Sequence, residues 1–251
     1  MLAIISTLKE VLFLWVRNFW YLVVLAFLFG VPDFFLRQLD HDYHASQFKW
    51  SPLLGFIVST ALLWLDTVNL TAIFGLLKKE PSESVWMAAW QSIKAYTWTL
   101  FRLVLLIGLV CIPVVGISVA IIHILSLAKA GMFLVLGAYL VFIISALAGP
   151  LVVVENLGAM DALKRSWGMT KRHFLYVAGC YLILGLMEWL IHWMITLLSH
   201  TTDNEMNWAG LMMKVVSEVI DSAWIILLWS MYLKIKAEEE QMASVKEAVA
   251  N

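Results

Sequence analysis

Six stretches of this sequence are apolar over lengths that no soluble core requires, and they limit the fold more than any other feature. They run at about 19–36, 53–77, 98–125, 132–154, 174–198 and 209–233, with polar or charged residues between them. A helix needs about 20 apolar residues to cross the hydrocarbon of a bilayer, where each backbone N–H and C=O has to be satisfied within the segment itself. The spacing therefore predicts an all-α polytopic membrane protein with six transmembrane helices. Composition agrees, with 62% of residues hydrophobic and only 14% charged. A soluble α/β fold would alternate short strands with helices and Gly/Pro punctuation, and no such alternation is present.

Amphipathic stretches precede alternate spans and read as interfacial elbow helices. In residues 2–18 the apolar positions Leu8, Val11, Leu12, Trp15 and Phe19 share a helical face, with Lys9 and Glu10 opposite. The first span then ends near Pro32 and Asp33, and a polar connection leads to Pro52. The second elbow opens with Ser82 as the expected N-cap and Glu83 in its first turn, where a carboxylate suits the helix dipole. Its apolar stripe is Trp86, Ala89, Trp90, Ile93 and Thr97, and Pro113 is expected to kink the span that follows. The third elbow, residues 159–173, places Met160, Leu163, Trp167 and Thr170 on one face and Asp161, Lys164, Arg165, Gly168 and Arg172 on the other. An offset of 77 residues pairs Trp90 with Trp167, Lys94 with Lys171 and Gly108 with Gly185. The chain thus reads as one transmembrane domain over 1–236, built of three elbow-plus-two-span units at about 1–77, 78–154 and 155–236. A charged tail, 237–251, is expected to be a solvated helical end.

The net charge of −1 favours no partner, but its distribution sets an orientation. Thirteen of the 17 Lys and Arg residues fall on the elbow side, among them Lys9, Lys78, Lys79, Lys94 and Lys234. Arg37, Lys49, Lys129 and Lys214 fall on the other. The positive-inside rule then places both termini and all elbows in the cytoplasm. Trp15, Trp20, Trp86, Trp90, Trp98 and Trp167 form an aromatic belt at that boundary, with Trp50 and Trp208 at the outer one; Trp189, Trp193, Trp224 and Trp229 are read as packing residues. Cys111 and Cys180 sit inside apolar segments as small packing residues. The N-terminus lacks the cationic start and small-residue cleavage site of a signal peptide and is read as retained.

The run Pro150–Val154 followed by Glu155, then Ala162-Leu163-Lys164-Arg165-Ser166-Trp167 and Thr170-Lys171, resembles the YciC-type bacterial inner-membrane proteins. It is also similar to the related membrane domain attached to some glycerophosphoryl diester phosphodiesterases. In that pattern an apolar helix ends in a proline and an acidic residue before a segment A-L-x-x-S-x-x-L-T-x; here Met169 replaces the usual Leu. The run Ile112-Pro113-Val114-Val115-Gly116 resembles the family's proline–glycine break in an earlier span. The resemblance implies a six-helix protein of the bacterial cytoplasmic membrane. It transfers no catalytic residue, since in the fusions catalysis belongs to a separate soluble domain.

Two groups of residues are candidates for function. Lys164, Arg165, Trp167, Lys171 and Arg172, with Lys78, Lys79 and Lys94 around the second elbow, suit contact with anionic lipid headgroups, cations meeting phosphates while the indole sets depth. Asp66, Glu188, His192, Glu218 and Asp221 are ionisable residues inside spans, where charge is costly and calls for a partner or a pathway. Glu188 lies 14 residues from Phe174 and Asp221 lies 13 from Lys234, so both sit about 20 Å from the cytoplasmic end. This cluster reads either as interhelical hydrogen bonding or as a proton or cation path. Asp40, His41, Asp42 and His44 could present imidazole and carboxylate to a metal, but a polar external loop is the plainer reading. His123, His173 and His200 read as boundary anchors. No P-loop, dinucleotide fingerprint, H-E-x-x-H or G-x-S-x-G occurs, and Glu155 and His173 suggest lipid chemistry by location alone. The expectation is therefore a non-enzymatic inner-membrane protein without cofactor or bound metal. Its partners are anionic phospholipids and not nucleic acid, homo-oligomerisation is left open, and the role is envelope or lipid homeostasis or a membrane scaffold. The alternative is a proton- or cation-coupled transporter using the acidic/His cluster.

Overall fold

The computed structural model describes residues 2–45, 52–80, 82–125, 130–199 and 208–250. These form eight helices: α1 (Leu2–Ala45), α2 (Pro52–Lys78), α3 (Val85–Leu125), α4 (Ala130–Ser145), α5 (Ala148–Val154), α6 (Ala159–Arg172), α7 (Phe174–Ser199) and α8 (Trp208–Ala250). The described residues contain no strand. Five helical stretches are long and apolar enough to cross a membrane: Ala3–Leu36, Ile57–Lys78, Val85–Cys111, Phe174–Ile191 and Lys214–Val245. Tyr139–Val154 is apolar but shorter.

The chain divides into two compact units, Met1–Thr97 with Leu182–Leu227, and Trp98–Tyr181 with Leu228–Asn251. In the first, Ala26, Val215 and Val219 form a buried cluster of α1 and α8, covered by Trp15, Phe19, Val23 and Val31. Gly75 of α2 lies against α3, where a Cβ would come within 2.6 Å of Ser92 Oγ and 2.7 Å of the Ala88 carbonyl oxygen. The small residues Ala88, Ala89 and Ser92 on the facing turn are buried for the same reason, close backbone approach. In the second unit α6 packs on α4 and α5. The core there is Ile143, Leu147, Leu151 and Val153 with Ala162 and Met169, all at 2% exposure or less.

Breaks in these helices follow local chemistry. Pro150 has no N–H to give the Ala146 carbonyl, and α4 stops at Ser145; in α5 the same proline falls in the first turn, where it is tolerated. Glu155 caps the end of α5, and Asn156 follows at φ 54°, a left-handed conformation that a short polar side chain can adopt. At the junction of α6 and α7 the His173 N–H is shared between the carbonyls of Met169 and Thr170, and its own carbonyl accepts from Val177.

Several boundaries differ from the expectation. Neither the first nor the second elbow is a separate helix, because α1 and α3 run unbroken through them. The second starts at Val85 rather than Ser82, after a turn in which Glu83 N–H donates to the Glu80 carbonyl. Pro32, expected near the end of the first span, lies inside the continuous α1; Pro113, expected as a kink, lies inside α3. The polar connection after the first span is helical as far as Ala45, and α8 continues through the charged tail to Ala250.

Candidate functional site

The helix α6 carries acidic Asp161 in its first turn and basic Lys171 and Arg172 in its last, matching the sign of the macrodipole at each end. At 100° per residue its side chains divide among three faces rather than two. One face, Ala162, Ser166, Met169 and Thr170, is buried. Ser166, at 0% exposure, mends the α4–α5 break: its Oγ accepts from the Leu147 N–H at 3.2 Å and donates to the Ile144 carbonyl at 2.7 Å. Of the expected apolar face only Thr170 lies on this buried side. Met160 and Trp167 are not among the buried residues of α6.

Met160 and Trp167 form the second face and are 50% and 54% exposed. Lys164 and Lys171 are exposed beside them, and neither is within ion-pair distance of a carboxylate among the described residues. The third face is ion-paired. Arg165 Nε lies 3.0 Å from Glu155 Oε2, and its guanidinium is 3.8 Å from Glu239. Arg172 is 3.5 Å from the other Glu239 oxygen. The buried Tyr232 hydroxyl donates to Glu155 Oε1 at 3.0 Å, and His173 Nδ1 is 3.6 Å from Glu238. The four cations expected to act alike therefore separate into a free lysine pair and a tethered arginine pair. Glu238 and Glu239 belong to the tail expected to be wholly solvated; they face α6 instead. Next to the free face an apolar groove of about 360 Å³ runs between α3, α4 and α6, with Lys164 and Trp167 in its lining.

In the first unit, Lys78 Nζ bonds the Tyr96 hydroxyl at 3.1 Å and lies over that ring. Lys94 sits 5.0 Å over Trp90. These two cations thus each engage an aromatic ring. With Lys79 they border or lie close to the α2–α3 turn, whose small polar cleft is lined by Lys78, Lys79, Glu80 and Glu83.

The intramembrane acids have distinct partners. Lys214 Nζ lies 2.7 Å from Asp33 Oδ2 and 2.6 Å from Glu218 Oε1, and Asn69 Nδ2 donates to Glu218 Oε2 at 3.2 Å. Three helices meet there, and Gly30 gives Glu218 room, since a Cβ on it would be 3.1 Å from Glu218 Cγ. Trp224 Nε1 donates to Glu188, which makes α7 and α8 neighbours at that depth. Ser217 hydrogen-bonds Asp221 at 3.4 Å, and Asp66 is exposed on α2. Asp33, expected to mark the end of a span, is instead 1% exposed and ion-paired. Trp15, expected at the inner boundary, donates to the Val219 carbonyl at 3.0 Å, two residues from Asp221. Trp189 and Trp193, expected to pack, are 60% and 53% exposed.

Asp33, Asn69, Tyr232, Glu239 and the capping role of Ser166 escaped the sequence reading. A signal for Asp33 existed: Lys214 is a lone cation in an apolar stretch and needs an acid on another span. The side chains of His192, Arg37, Asp40, His41, Asp42, Tyr43, His44, His123 and Trp208 lie outside the described residues, as do Lys49, Trp50, Lys129 and His200. Among the described residues, no three His, Cys, Asp or Glu side chains are gathered to hold a metal ion.

No curated protein and no solved structure matches the chain. A family model described as a domain of unknown function, DUF7847, matches residues 88–238, a span that takes in α4, α5, α6 and the whole of the Glu155–Arg165 region. The protein belongs to the DUF7847 family of domains of unknown function.

Proposed function

We propose that this chain is a multi-pass protein of the bacterial inner membrane, with six spans and both termini cytoplasmic. Its α6 is an interfacial elbow that holds anionic phospholipid, and its role is envelope or lipid homeostasis or that of a membrane scaffold. The span that completes the six, fourth in chain order, is supplied by α4 and α5 together, which cover residues 130–154 with a Ser166-capped break. The resemblance to YciC-type proteins supports the compartment, and the cation bias supports the sidedness.

One observation carries the lipid reading: Lys164 and Lys171 flank the exposed Trp167, while Arg165 and Arg172 are held by Glu155 and Glu239. A basic residue at an anionic leaflet contributes about 1 kcal/mol, so two free lysines favour such lipid about thirtyfold. Replacing Lys164 and Lys171 by Gln should lower the co-purified phosphatidylglycerol and cardiolipin measured by mass spectrometry, with topology unchanged. The Arg165→Gln/Arg172→Gln pair should lower it less and lose stability instead. Unchanged anionic lipid in the lysine variant would refute the reading.

A proton- or cation-coupled transporter is the second reading, and the meeting of Asp33, Asn69, Lys214 and Glu218 is what favours it. Lys214 bonding two carboxylates at once fits cohesion between helices better. Liposome flux abolished by Glu218→Gln with stability intact would reverse that preference.

A further inference from the structure

We infer that the groove between α3, α4 and α6 is the seat of one acyl chain of an anionic glycerophospholipid, whose phosphate is held by Lys164 and the Trp167 indole. This deepens the lipid reading of α6 and rests on it. The walls are Ile107 and Val110 of α3 with Val141 and Ile144 of α4, and Leu163 lines the groove from α6. These side chains are aliphatic, and the hydroxyl of Ser145, which also lines the groove, is turned to the Val141 carbonyl at 2.8 Å. The groove therefore offers a hydrocarbon chain contact and offers a polar solute nothing along its length. At about 360 Å³ it lies in the range of small-ligand sites.

The lip has the opposite character. Lys164 brings an ammonium without a carboxylate partner among the described residues, and Trp167 is half-exposed with no hydrogen bond from its indole N–H. A cation and an N–H donor at the mouth of an apolar cleft complement a phosphate with a chain attached. The same helix ties its arginines to Glu155 and Glu239, so the headgroup is met on the groove side and not on the side of α8. Ser166 fixes this geometry, because it binds α6 to the Ile144–Leu147 turn that forms one wall.

The test uses the full chain in nanodiscs containing a trace of phosphatidylglycerol with a diazirine in mid-chain, or the phosphatidylcholine analogue. Adducts are mapped by mass spectrometry after illumination. Phosphatidylglycerol adducts should concentrate on peptides containing residues 107–110, 141–145 and 163–167. Val110→Trp, at a position 47% exposed and so tolerant of a larger ring, should fill the groove and remove them. Lys164→Gln should cut them about fivefold. Adducts spread evenly over lipid-facing helices, or unaffected by Val110→Trp, overturn the seat; the elbow reading survives if the lysine variant still loses co-purified anionic lipid. Equal labelling by both analogues, undiminished in Lys164→Gln, overturns the headgroup assignment; the elbow reading falls with it only if the Lys164→Gln/Lys171→Gln variant also keeps its co-purified anionic lipid.

Discussion

At the scale of single residues, Ser166 shows how a motif position can carry a fold without touching a ligand. Its hydroxyl serves a donor and an acceptor that the α4–α5 break leaves without helical partners. Ser166→Ala would strand the buried Leu147 N–H, at a cost of about 1–3 kcal/mol. Thermal unfolding in detergent should therefore begin earlier in this variant, and an unchanged midpoint would show that the break is held by packing alone. Gly75 makes a comparable point about space. An alanine there would press on the Ala88 carbonyl, a backbone atom with little freedom, so Gly75→Ala should destabilise the α2–α3 pair although alanine is the better helix former. Increased protease cleavage in residues 79–84 is the readout, and a more stable variant would contradict the close approach. Neither role is visible in a sequence, because each depends on what lies opposite in space.

At the scale of elements, the apolar runs were legible and their joints were not. Of the six spans expected from length and hydropathy, five are helices long and apolar enough to cross, because a helix that must satisfy its own backbone in lipid leaves a long uninterrupted record. The joints depend on weaker terms. Pro32, expected near the end of a span, stays within α1, and Pro113, expected as a kink, lies within α3, whereas α4 ends before Pro150 and Ser166 takes up the freed groups. The face of α6 that packs on α4 and α5 was not anticipated, for a related reason. Periodicity identifies an apolar side, but whether that side meets lipid or a neighbouring helix turns on side-chain size. Glu218 was among the polar residues expected in the spans, but its partners Asp33 and Asn69 were not. Lys214 joins the two acids, and removing it leaves Asp33 and Glu218 without that counter-charge. Lys214→Met should lose about 3–5 kcal/mol, with part recovered in Lys214→Met/Asp33→Leu. A fluorescence-monitored unfolding series of the single and double variants measures this; a single variant as stable as the parent would mean that the ion pairs contribute nothing.

At the scale of the whole molecule, each unit holds a polar network anchored on α8. Asp33, Lys214, Glu218 and Asn69 form that of the first unit, toward the start of α8. Glu155, Arg165, Tyr232 and Glu239 form that of the second, toward its other end. The charge distribution supports the proposed sidedness. The elbow side carries thirteen of the 17 Lys and Arg residues, and translocation of short basic segments is disfavoured, so this side should stay in the cytoplasm. Six spans would return the C-terminus to the side of the N-terminus, whereas five would separate them, so one experiment tests both the count and the contribution of α4 and α5. A reporter active only in the periplasm, inserted directly after Ala45, should give signal, and the same reporter after Asn251 should give none. A cytoplasmic reporter should give the converse at both positions. Signal for the periplasmic reporter at Asn251 with a cytoplasmic N-terminus would mean that residues 130–154 do not cross. The basic face of α6 would then lie outside, away from the inner leaflet that the lipid reading requires.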